Sequence, residues 1–291
     1  MIITSCGNSE KIAKGIAKQL KAKYSPLTIG AFPDGDFYLR FHENLKGQEV
    51  VIVQGFQPSP DMSFFDVIFA GETARDLGAK RVVLVAPYLA YMRQDKRFHP
   101  GEAISSKIMG KHFSSTFDEV ITIDPHLHRY KSLNEVFSCK TQCLTTNGLI
   151  GDWVKKRVRN AVIIGPDGES YQWAEVIAKH AGVECTVLHK TRFSSSHVAV
   201  KQLKPVEIKG KNVVIVDDII STGHTIAEAA KLAKAQGAKT ITAMCVHGLF
   251  ADDALKIMKK AGVFKVVSTN TIGHSTNAID VTELCVQALK K

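Results

Sequence analysis

Residues 211–225 read Lys211-Asn-Val-Val-Ile-Val-Asp-Asp-Ile-Ile-Ser-Thr-Gly-His-Thr225, and this segment indicates the fold of the chain. The run from Val213 to Val216 is short, β-branched and uncharged, as is typical of a central strand in a parallel sheet. Asp217 and Asp218 mark the predicted end of that strand, and from Ile226 onward apolar residues recur at helical spacing. The segment therefore predicts a strand, a short loop and a helix, which is the repeating unit of an α/β fold.

The loop between the predicted strand and helix carries the groups of an anion site. Its small and hydroxyl-bearing residues are Ser221, Thr222, Gly223 and Thr225. Unpaired N–H groups and the helix dipole favour an anion at a helix N-terminus, so the loop predicts a phosphate site. The acidic pair beside it suits two sugar hydroxyls, reached directly or through a divalent metal. An ordinary helix N-cap would explain the loop, but it leaves two carboxylates after a buried strand without a reason. We therefore expect a phosphorylated sugar.

The composition is that of a globular protein with room for two domains. The chain has 291 residues, of which 45% are hydrophobic and 23% charged. No segment has the apolar length of a membrane span, no signal peptide is visible, and six cysteines have no framework spacing. These features predict a cytoplasmic protein with no membrane partner. The net charge of +10 comes from scattered residues without a nucleic-acid-binding motif, and a polyphosphate substrate explains it equally well, so no nucleic acid is expected.

Strand-like and helix-like segments alternate along the whole chain, which predicts mostly parallel sheets flanked by helices. The predicted strands are Ile2–Ser5, Glu49–Gln54, Arg81–Ala86, Glu119–Ile123, Ala161–Ile164, Glu184–Leu188, Asn212–Val216, Thr240–Val246 and Lys265–Ser268. The predicted helices include Glu10–Lys21, Phe65–Leu77, Ser170–Ala181 and Ala251–Lys260.

An internal repeat runs through this pattern. Residues 46–55 align with residues 209–218, and residues 78–80 align with residues 237–239. Two tandem copies of one α/β unit would produce this, with domains at 1–145 and 146–291, although similar strand composition alone is an alternative. The first copy has Gln54-Gly55 in place of the acidic pair and lacks the hydroxyl-rich loop. Only the second copy is therefore expected to hold the sugar phosphate, which leaves the first for another ligand or an interface.

The stretch Phe32-Pro-Asp-Gly-Asp36 carries the Asp-Gly signal of a hairpin. In the plainer interpretation it is only that turn. In a functional interpretation, Phe32 stacks on a nucleotide base while Asp34 and Asp36 accept hydrogen bonds from the amino group of that base. The residues alone favour neither.

Two polar segments follow predicted strands of the first half, where α/β sheets bind ligands. Arg93, Gln94 and Asp95 begin a basic segment that suits a polyphosphate, with the amide and carboxyl groups offering hydrogen bonds to a sugar or base. His126 follows the strand Glu119–Ile123 and could ligate a metal or bind a phosphate. A solvated basic turn and an incidental histidine are the respective alternatives.

Two more such segments follow strands of the second half. Asp167 lies in a Pro-Asp-Gly stretch and could anchor metal-bound water, because Mg²⁺ keeps several waters and uses few carboxylates. Lys190 and Arg192 precede a serine-rich stretch and could close over a phosphate chain. The alternatives are a simple turn for the first and a surface loop for the second.

Together these segments cover nearly the whole chain in order, and they resemble the motifs of the ribose-phosphate pyrophosphokinase family of the phosphoribosyltransferase-like superfamily. The matching segments are Phe32–Asp36, Arg93–Asp95, Asp124–His126, Pro166–Asp167, Lys190–Arg192 and Asp217–Thr225. Two positions depart from the commonest bacterial pattern of the family: Ser221 replaces an Asp, and His224 replaces a Gly. His224 brings a Cβ into a loop where the family has none.

The resemblance implies a Mg²⁺-dependent enzyme with two phosphoribosyltransferase-like domains, which converts ATP and ribose 5-phosphate into 5-phosphoribosyl 1-diphosphate (PRPP) and AMP. It implies ribose 5-phosphate at Asp217, Asp218, Ser221, Thr222, Gly223, His224 and Thr225. It implies ATP at Phe32, Asp34, Asp36, Arg93, Gln94, Asp95 and His126, metal at His126 and Asp167, and catalysis by Lys190 and Arg192. It further implies a homo-oligomer built on a dimer, with an active site shared between subunits.

Two other functions are compatible with parts of the sequence. A phosphoribosyltransferase that consumes PRPP would use the same sugar-phosphate loop, but it leaves the first copy and the Phe32 loop unexplained. A non-catalytic regulatory subunit related to the synthetase should have lost the catalytic cations, whereas Lys190 and Arg192 are present. Nothing in the sequence suggests a residue that acts as a dedicated base.

Overall fold

Two parallel sheets, each flanked by helices, organise the chain in the computed structural model, which confirms the predicted α/β fold class. The structure describes residues 1–168, 170–192, 198–202 and 204–290, and for residues 188–192 and 198–202 it describes the backbone alone. Among the helices described, there is none of a length and apolar character that would let it cross a membrane.

The first half of the chain forms a six-stranded parallel sheet in the order β2-β1-β5-β6-β7-β8, with a separate two-stranded hairpin of β3 and β4. Its elements are β1 (Ile2–Ser5), α1 (Glu10–Leu20), β2 (Lys23–Tyr24), β3 (Thr28–Ala31), β4 (Phe37–Arg40), β5 (Glu49–Val53), α2 (Pro60–Asp76), β6 (Arg81–Ala86), α3 (Ser105–Thr116), β7 (Glu119–Ile123) and β8 (Lys140–Leu144).

The second half forms a seven-stranded sheet in the order β11-β10-β9-β12-β13-β14-β15, parallel except for β11, which runs antiparallel to β10. Its elements are α4 (Asn147–Arg157), β9 (Ala161–Gly165), α5 (Tyr171–Ala181), β10 (Glu184–Arg192), β11 (Val198–Gln202), β12 (Asn212–Ile220), α6 (His224–Ala235), β13 (Thr240–Gly248), α7 (Ala254–Lys260), β14 (Lys265–Thr269), β15 (Asn277–Ile279) and α8 (Thr282–Leu289).

The internal repeat is present in the hydrogen bonds as well as in the strand order. The order β10-β9-β12-β13-β14-β15 repeats the order β2-β1-β5-β6-β7-β8 strand for strand. In the first copy the N–H of Gly47 donates to the carbonyl of Gly78 at 2.7 Å, and in the second the N–H of Gly210 donates to that of Gly237 at 2.8 Å. These are the residues that the sequence alignment pairs, so the two sheets are copies of one unit.

The helices that follow the last strand of each sheet are exchanged between the two copies. The contacts divide the chain into a first unit, Met1–Leu144 with Thr271–Gly273 and the residues from Asp280 onward, and a second unit, Thr145–Asn270 with His274–Ile279. Thus α4, which follows β8, contacts α5 of the second unit, and α8, which follows β15, contacts α1 of the first. The sequence-based division into 1–145 and 146–291 does not anticipate this return of α8.

Charged residues of alternating sign begin the central strands of the first sheet. Glu49, Arg81, Glu119 and Lys140 are the first residues of β5, β6, β7 and β8. Arg81 forms ion pairs with both glutamates, and Nζ of Lys140 lies 3.0 Å from Oε1 of Glu119, whose side chain is only 2% exposed. The start of this sheet is therefore neutralised strand by strand.

The contact between α1 and α8 can be tested through Gly15 and Thr282. A Cβ on Gly15 would lie 2.8 Å from Cγ2 of Thr282. That methyl group cannot turn away, because the Thr282 hydroxyl donates to Oδ1 of Asp280 at 2.6 Å. We expect Gly15→Ala to destabilise the protein by about 1–3 kcal/mol in chemical denaturation, as overpacking does. Thr282→Ser keeps the hydroxyl and loses the methyl group, so it should rescue Gly15→Ala.

Gly148 of α4 serves as the matched control. A Cβ at this position would come no closer than 3.7 Å to its nearest neighbour. Gly148→Ala should therefore be neutral or stabilise the helix by about 0.5–1 kcal/mol. If Gly15→Ala behaves like Gly148→Ala, the close approach of α8 to α1 is not real.

Candidate active site

Gly223 joins β12 directly to α6. β12 runs to Ile220, and only residues 221–223 separate it from the start of α6 at His224. Gly223 has a φ of 76°, and a Cβ on it would lie 3.1 Å from the carbonyl oxygen of Ala254. The position needs glycine for both reasons. His224 already belongs to the helix, so its Cβ is accommodated where the family pattern has a glycine.

Residues 221–225, here called the phosphate loop, present an open helix N-terminus. The first N–H groups of an α-helix have no acceptor within the helix, and no side chain of the described residues caps this end of α6. The side chains of Thr222, His224 and Thr225 are exposed and that of Ser221 is half-buried. Free N–H groups, hydroxyls and the dipole of a 12-residue helix together make a cradle that fits a phosphate.

The acidic pair lies inside β12 and not at its end, which corrects the sequence-based prediction. The strand continues because β13 is also longer than predicted, and Asp217 still pairs with Cys245 while Ile220 pairs with Gly248. Oδ1 of Asp217 accepts the N–H of Asp218 at 3.0 Å, and Oδ1 of Asp218 accepts the N–H of Ile219 at 2.7 Å. The two carboxylates are therefore held by their own backbone just before the phosphate loop.

A third carboxylate stands near this pair. Asp167 follows β9, the strand next to β12, in a turn where the N–H of Ser170 donates to Oδ1 of Asp167 at 2.9 Å. Burial, then the charges of Asp218 and Asp167, raise the pKa of Asp217 well above its usual range. The same surroundings, chiefly burial and then Asp217, raise the pKa of the buried Cys245 thiol, so that it stays protonated.

These carboxylates fit a divalent cation. Hard oxygen donors are the ligands that Mg²⁺ prefers, and a cation beside them would stabilise the charged form of Asp217 that its surroundings disfavour. Hydroxyl groups of a sugar would act in the same direction by donating hydrogen bonds to the carboxylates. The end of β12 is thus built to receive donors or a metal beside a phosphate.

In the first unit, the segment Arg93–Asp95 follows β6, and its three side chains have different surroundings. Arg93 is exposed and Gln94 half-buried, so both can reach a ligand. The side chain of Asp95 has no exposed surface, and its two oxygens accept from Nη1 of Arg129 at 2.9 and 3.1 Å. Asp95 therefore anchors the segment through Arg129, and its predicted contact with a nucleotide stays a prediction.

Residues of α3 also hold this segment in place by hydrogen bonds. The Ser105 hydroxyl donates to Oε1 of Gln94 at 3.3 Å, and the Ser106 hydroxyl donates to the Gln94 carbonyl at 3.2 Å. Tyr130 donates to the Asp95 carbonyl at 3.1 Å. Sequence reasoning missed Arg129 and Tyr130, although an arginine three residues after His126 was a visible candidate partner for an acidic residue.

His126 lies at the same edge of the first sheet as Arg93–Asp95, the edge formed by the carboxyl ends of the strands, because it follows β7, the neighbour of β6. The turn before it is tight, with a φ of 37° at Asp124. The rings of His126 and His128 stack with their centroids 3.6 Å apart, and both are half-buried. Arg93, Gln94 and His126 thus share one edge of one sheet.

The predicted hairpin is present and projects its polar residues. The N–H of Phe32 donates to the Asp36 carbonyl at 2.8 Å, and Gly35 has a φ of 96° in the turn. Phe32 is 52% exposed, and Asp34 and Asp36 are exposed too. The hairpin is therefore open to a ligand or to another chain.

Lys190 and Arg192 lie in β10 and not in a surface loop, because β10 continues to Arg192 by pairing with β11. Their side chains lie outside the described part of the structure, as does the serine-rich stretch after them. Their predicted role as catalytic cations stays a prediction.

The corresponding place in the first copy is closed. The N–H of Gly55 donates to the Ser9 hydroxyl at 2.8 Å, and Nε2 of Gln54 donates to the Ser63 hydroxyl at 3.1 Å. Phe56, which follows, is fully buried in the core. Where the second copy has a phosphate loop, the first has packed side chains.

Comparison with known proteins places both halves in one family. Residues 1–116 match the family model described as the N-terminal domain of ribose phosphate pyrophosphokinase, and residues 146–284 match the phosphoribosyl transferase domain. A ribose-phosphate pyrophosphokinase of Methanothermobacter thermautotrophicus is 34% identical over 290 residues, covering 99% of this chain and 100% of that protein. Ribose-phosphate pyrophosphokinase 2 of Archaeoglobus fulgidus is 35% identical over 287 residues and covers 99% of each chain.

A solved structure shares the fold along the entire length. The crystal structure of phosphoribosylpyrophosphate synthetase from Mycobacterium smegmatis matches with a TM-score of 0.86 at 23% identity, covering 100% of this chain and 97% of that one. At that identity the likeness concerns the fold, and it agrees with the duplicated α/β architecture.

The buried carboxylate in β12 generates a test by pH. The folded pKa of Asp217 is raised above the ordinary value of 3.8, so between 3.8 and the folded pKa the folded protein holds a proton that the unfolded chain has released. Stability from this group is full below 3.8 and is lost as pH rises through the folded pKa. In metal-free buffer, the stability of Asp217→Asn relative to wild type should therefore rise with pH from about 4 upward, as measured by denaturant titration.

The control is Asp253→Asn, which alters an exposed carboxylate of the same unit. Its stability difference from wild type should not follow the pH dependence of Asp217→Asn. A difference between Asp217→Asn and wild type that is the same at every pH would contradict the assigned surroundings of Asp217.

The buried pair in the first unit generates a second test. Arg129→Met leaves the carboxylate of Asp95 without its cation, and breaking a buried pair costs about 3–5 kcal/mol. Since Arg129 is 44% exposed, we expect the lower end of that range. Adding Asp95→Asn removes the charge and should restore much of the loss. Lys23→Met breaks the more exposed pair with Glu43 and should cost about 1 kcal/mol or less. A double variant no more stable than Arg129→Met would rule out the buried pair.

Proposed function

The chain belongs to the ribose-phosphate pyrophosphokinase family, and we propose how its residues perform that reaction and that they require Mg²⁺ to do so. The enzyme transfers the β,γ-diphosphoryl group of ATP to the 1-hydroxyl of ribose 5-phosphate, giving PRPP and AMP for nucleotide biosynthesis. The observation that carries the proposal is the full-length match to this family together with the open phosphate loop at the N-terminus of α6.

Ribose 5-phosphate binds at the end of β12. The N–H groups and hydroxyls of the phosphate loop hold the 5-phosphate, since they are the uncapped donors of α6. Asp217 and Asp218 accept hydrogen bonds from the ribose hydroxyls, and this is supported by their fixed position one short loop away. Binding by these two groups leaves the 1-hydroxyl free to attack the β-phosphorus.

ATP binds to groups of the first unit. Arg93 and Gln94 contact the nucleotide, and Asp95 with Arg129 keeps that segment in place. Phe32 stacks on the adenine while Asp34 and Asp36 accept from its amino group, which their exposure on the hairpin permits. His126 contacts the phosphates or the ion that accompanies them.

Mg²⁺, when bound, neutralises the phosphate charge during transfer. In the second unit, Asp167 and the acidic pair are the groups that would hold the ion or its waters, and in the first unit His126 would do so. Lys190 and Arg192 stabilise the transferring group. Phosphoryl transfer depends on positioning and charge neutralisation, so the reaction needs no dedicated base.

The first unit favours this function over the consumption of PRPP. A transferase that uses PRPP needs the phosphate loop only, whereas this chain matches the N-terminal domain of the pyrophosphokinases over residues 1–116. Lys190 and Arg192 favour an active enzyme over a regulatory subunit. A cytoplasmic location agrees with the unpaired cysteines.

Release of AMP is the direct test. We expect the purified protein to form AMP from ATP only when ribose 5-phosphate and Mg²⁺ are both present, and to stop when the metal is chelated. Lys190→Ala and Arg192→Ala should lower kcat far more than they raise KM, because a cation on the transferring group can contribute about 10³–10⁵ in rate. A folded wild-type protein that makes no AMP under these conditions would refute the proposed function.

We further propose that the enzyme is a homo-oligomer built on a dimer through α2. Met62, Phe65 and Phe69 lie on one face of that helix and are 58%, 55% and 45% exposed. Phe37 of the hairpin lies against Phe69, with ring centroids 4.8 Å apart. An exposed apolar face of this kind supports an interface, and it would bring the hairpin of one subunit to its partner. The active site is then shared between subunits.

Mixing two damaged chains tests the shared site. Asp36→Ala is altered in the hairpin and Asp218→Ala in the sugar site, so each homodimer should be poorly active. A mixed dimer has one site with both defects and one with neither. Random exchange makes about half the dimers mixed, so roughly a quarter of wild-type activity should return. If tagged chains exchange and no activity returns, each site lies within one subunit.

A further inference from the structure

The start of the second sheet gathers basic residues that are far apart in the sequence. Arg159, Lys211, Lys239 and Lys265 lie at or beside the first residues of β9, β12, β13 and β14, which are neighbours in that order. The carbonyl of Arg159 accepts from Nδ2 of Asn212 at 2.7 Å, and that of Lys211 accepts from the N–H of Lys239 at 2.7 Å. Together with Phe264 these four residues form one surface, here called the basic pole.

The charges of the basic pole are not neutralised within the described part of the chain. None of its four cations forms an ion pair there, although Lys265 lies over the ring of Trp153 at 5.1 Å. More cations surround it in the last turns of α4 and α7: Lys155, Lys156, Arg157, Lys259 and Lys260. Along the chain, the acidic residues nearest to Arg159, Lys211, Lys239 and Lys265 are Asp152, Glu207, Glu228 and Asp253, respectively.

The first unit provides an internal control for this surface. Its strands begin with Glu49, Arg81, Glu119 and Lys140, which pair with one another. In both units the helices end at the edge of the sheet where the strands begin. The helix dipole therefore accounts for lysines in the last turns of the helices of both units. It does not account for the cations at the strand starts, because in the described part of the chain the second unit has four of them without an ion pair, whereas the first unit has Lys80 beside β6.

Phe264 makes the contrast sharper. The N–H of Asp118 donates to the Val82 carbonyl at 2.9 Å, and that of Phe264 donates to the Ile241 carbonyl at 2.8 Å, each to the second residue of the neighbouring strand. The two residues therefore occupy equivalent positions. The first copy uses Asp118 to bind Arg75. The second copy has Phe264, which is 81% exposed and lies next to Lys265 at the β14 end of the row of cations.

We propose that the basic pole binds single-stranded nucleic acid, with phosphates on Arg159, Lys211, Lys239 and Lys265 and a base stacked on Phe264. A charged groove with an exposed aromatic ring is the arrangement that holds single strands without sequence preference. A membrane surface fits less well, because one ring offers little apolar area to insert. The basic pole lies at the start of β12 and the phosphate loop beyond its end, nine residues on, so the two sites are separate.

This surface cannot be recognised from the sequence, because its residues come from four connections with no shared motif. Only the strand order β9-β12-β13-β14 brings them together. The expectation that no nucleic acid binds rested on the scatter of the basic residues and on the lack of a binding motif, and the fold brings four of those residues together.

The test measures, by fluorescence anisotropy, how tightly the full-length protein binds a labelled single-stranded RNA at several salt concentrations. An RNA of about 20 nucleotides is longer than a compact single-strand site. The pole variant is Arg159→Gln/Lys211→Gln/Lys239→Gln. Its control, Lys11→Gln/Lys107→Gln/Lys111→Gln, removes the same charge from exposed sites of the first unit. We expect the pole variant to lose at least about tenfold in affinity and about 2 in the slope of log K against log salt, and the control to lose little.

The aromatic part has its own readout. Phe264→Ser should weaken binding at least about fivefold without changing the salt slope, and Phe264→Trp should preserve binding, because stacking needs a ring and not a charge. All variants should keep AMP formation, since their residues lie outside the catalytic machinery.

Three results would overturn the proposal. The first is that the wild-type protein does not bind the RNA. The second is that the control variant loses as much affinity for the RNA as the pole variant, which would mean that the RNA is attracted by the overall charge of the protein. The third is that wild type binds vesicles rich in phosphatidylserine more tightly than it binds the RNA, and that the pole variant no longer binds those vesicles. This result would assign the surface to a membrane.

Discussion

The candidate sugar site depends on a single backbone conformation. Gly223 adopts a left-handed φ of 76° in a space where a Cβ would meet the Ala254 carbonyl, and this lets β12 lead into α6 across three residues. Because the connection is so short, the open N-terminus of the helix stands directly beside the last residues of the strand. The carboxylates of Asp217 and Asp218 and the N–H donors of α6 are thereby held in one place. A longer loop would separate the groups that recognise the two ends of a sugar phosphate.

The same strand order serves opposite purposes in the two copies. In the first, the end of β5 is filled by Gln54 and Phe56, and the strand starts are neutralised by ion pairs around Arg81. In the second, the end of β12 is open, and the cations at the strand starts form no ion pair with the residues that the structure describes. Duplication kept the hydrogen bonds that define the frame, such as those of Gly47 and Gly210, while the side chains at both edges diverged. The strand order and its backbone hydrogen bonds are therefore common to both copies, and the functional differences lie in the side chains at the two ends of the strands.

The sequence was sufficient for features that short-range pattern controls. Buried strands such as Arg81–Ala86 and Glu119–Ile123 have the predicted bounds, and the duplication is visible in aligned glycines. It was insufficient where a neighbour decides the outcome. β12 extends through the acidic pair because β13 pairs with it, and β10 reaches Arg192 because β11 pairs with it. Likewise, the buried state of Asp95 depends on Arg129, a contact between residues 34 positions apart that no local pattern encodes.

The exchange of α4 and α8 bears on how the protein is made. A chain leaving the ribosome ordinarily completes its N-terminal domain first. Here the second unit has all of its elements once β15 is synthesised, whereas α1 of the first unit waits for α8, which is translated after the whole second unit. The nascent first sheet must therefore remain with the α8-facing side of α1 uncovered throughout that interval. The order of completion runs from the C-terminal copy to the N-terminal one, opposite to the order of translation.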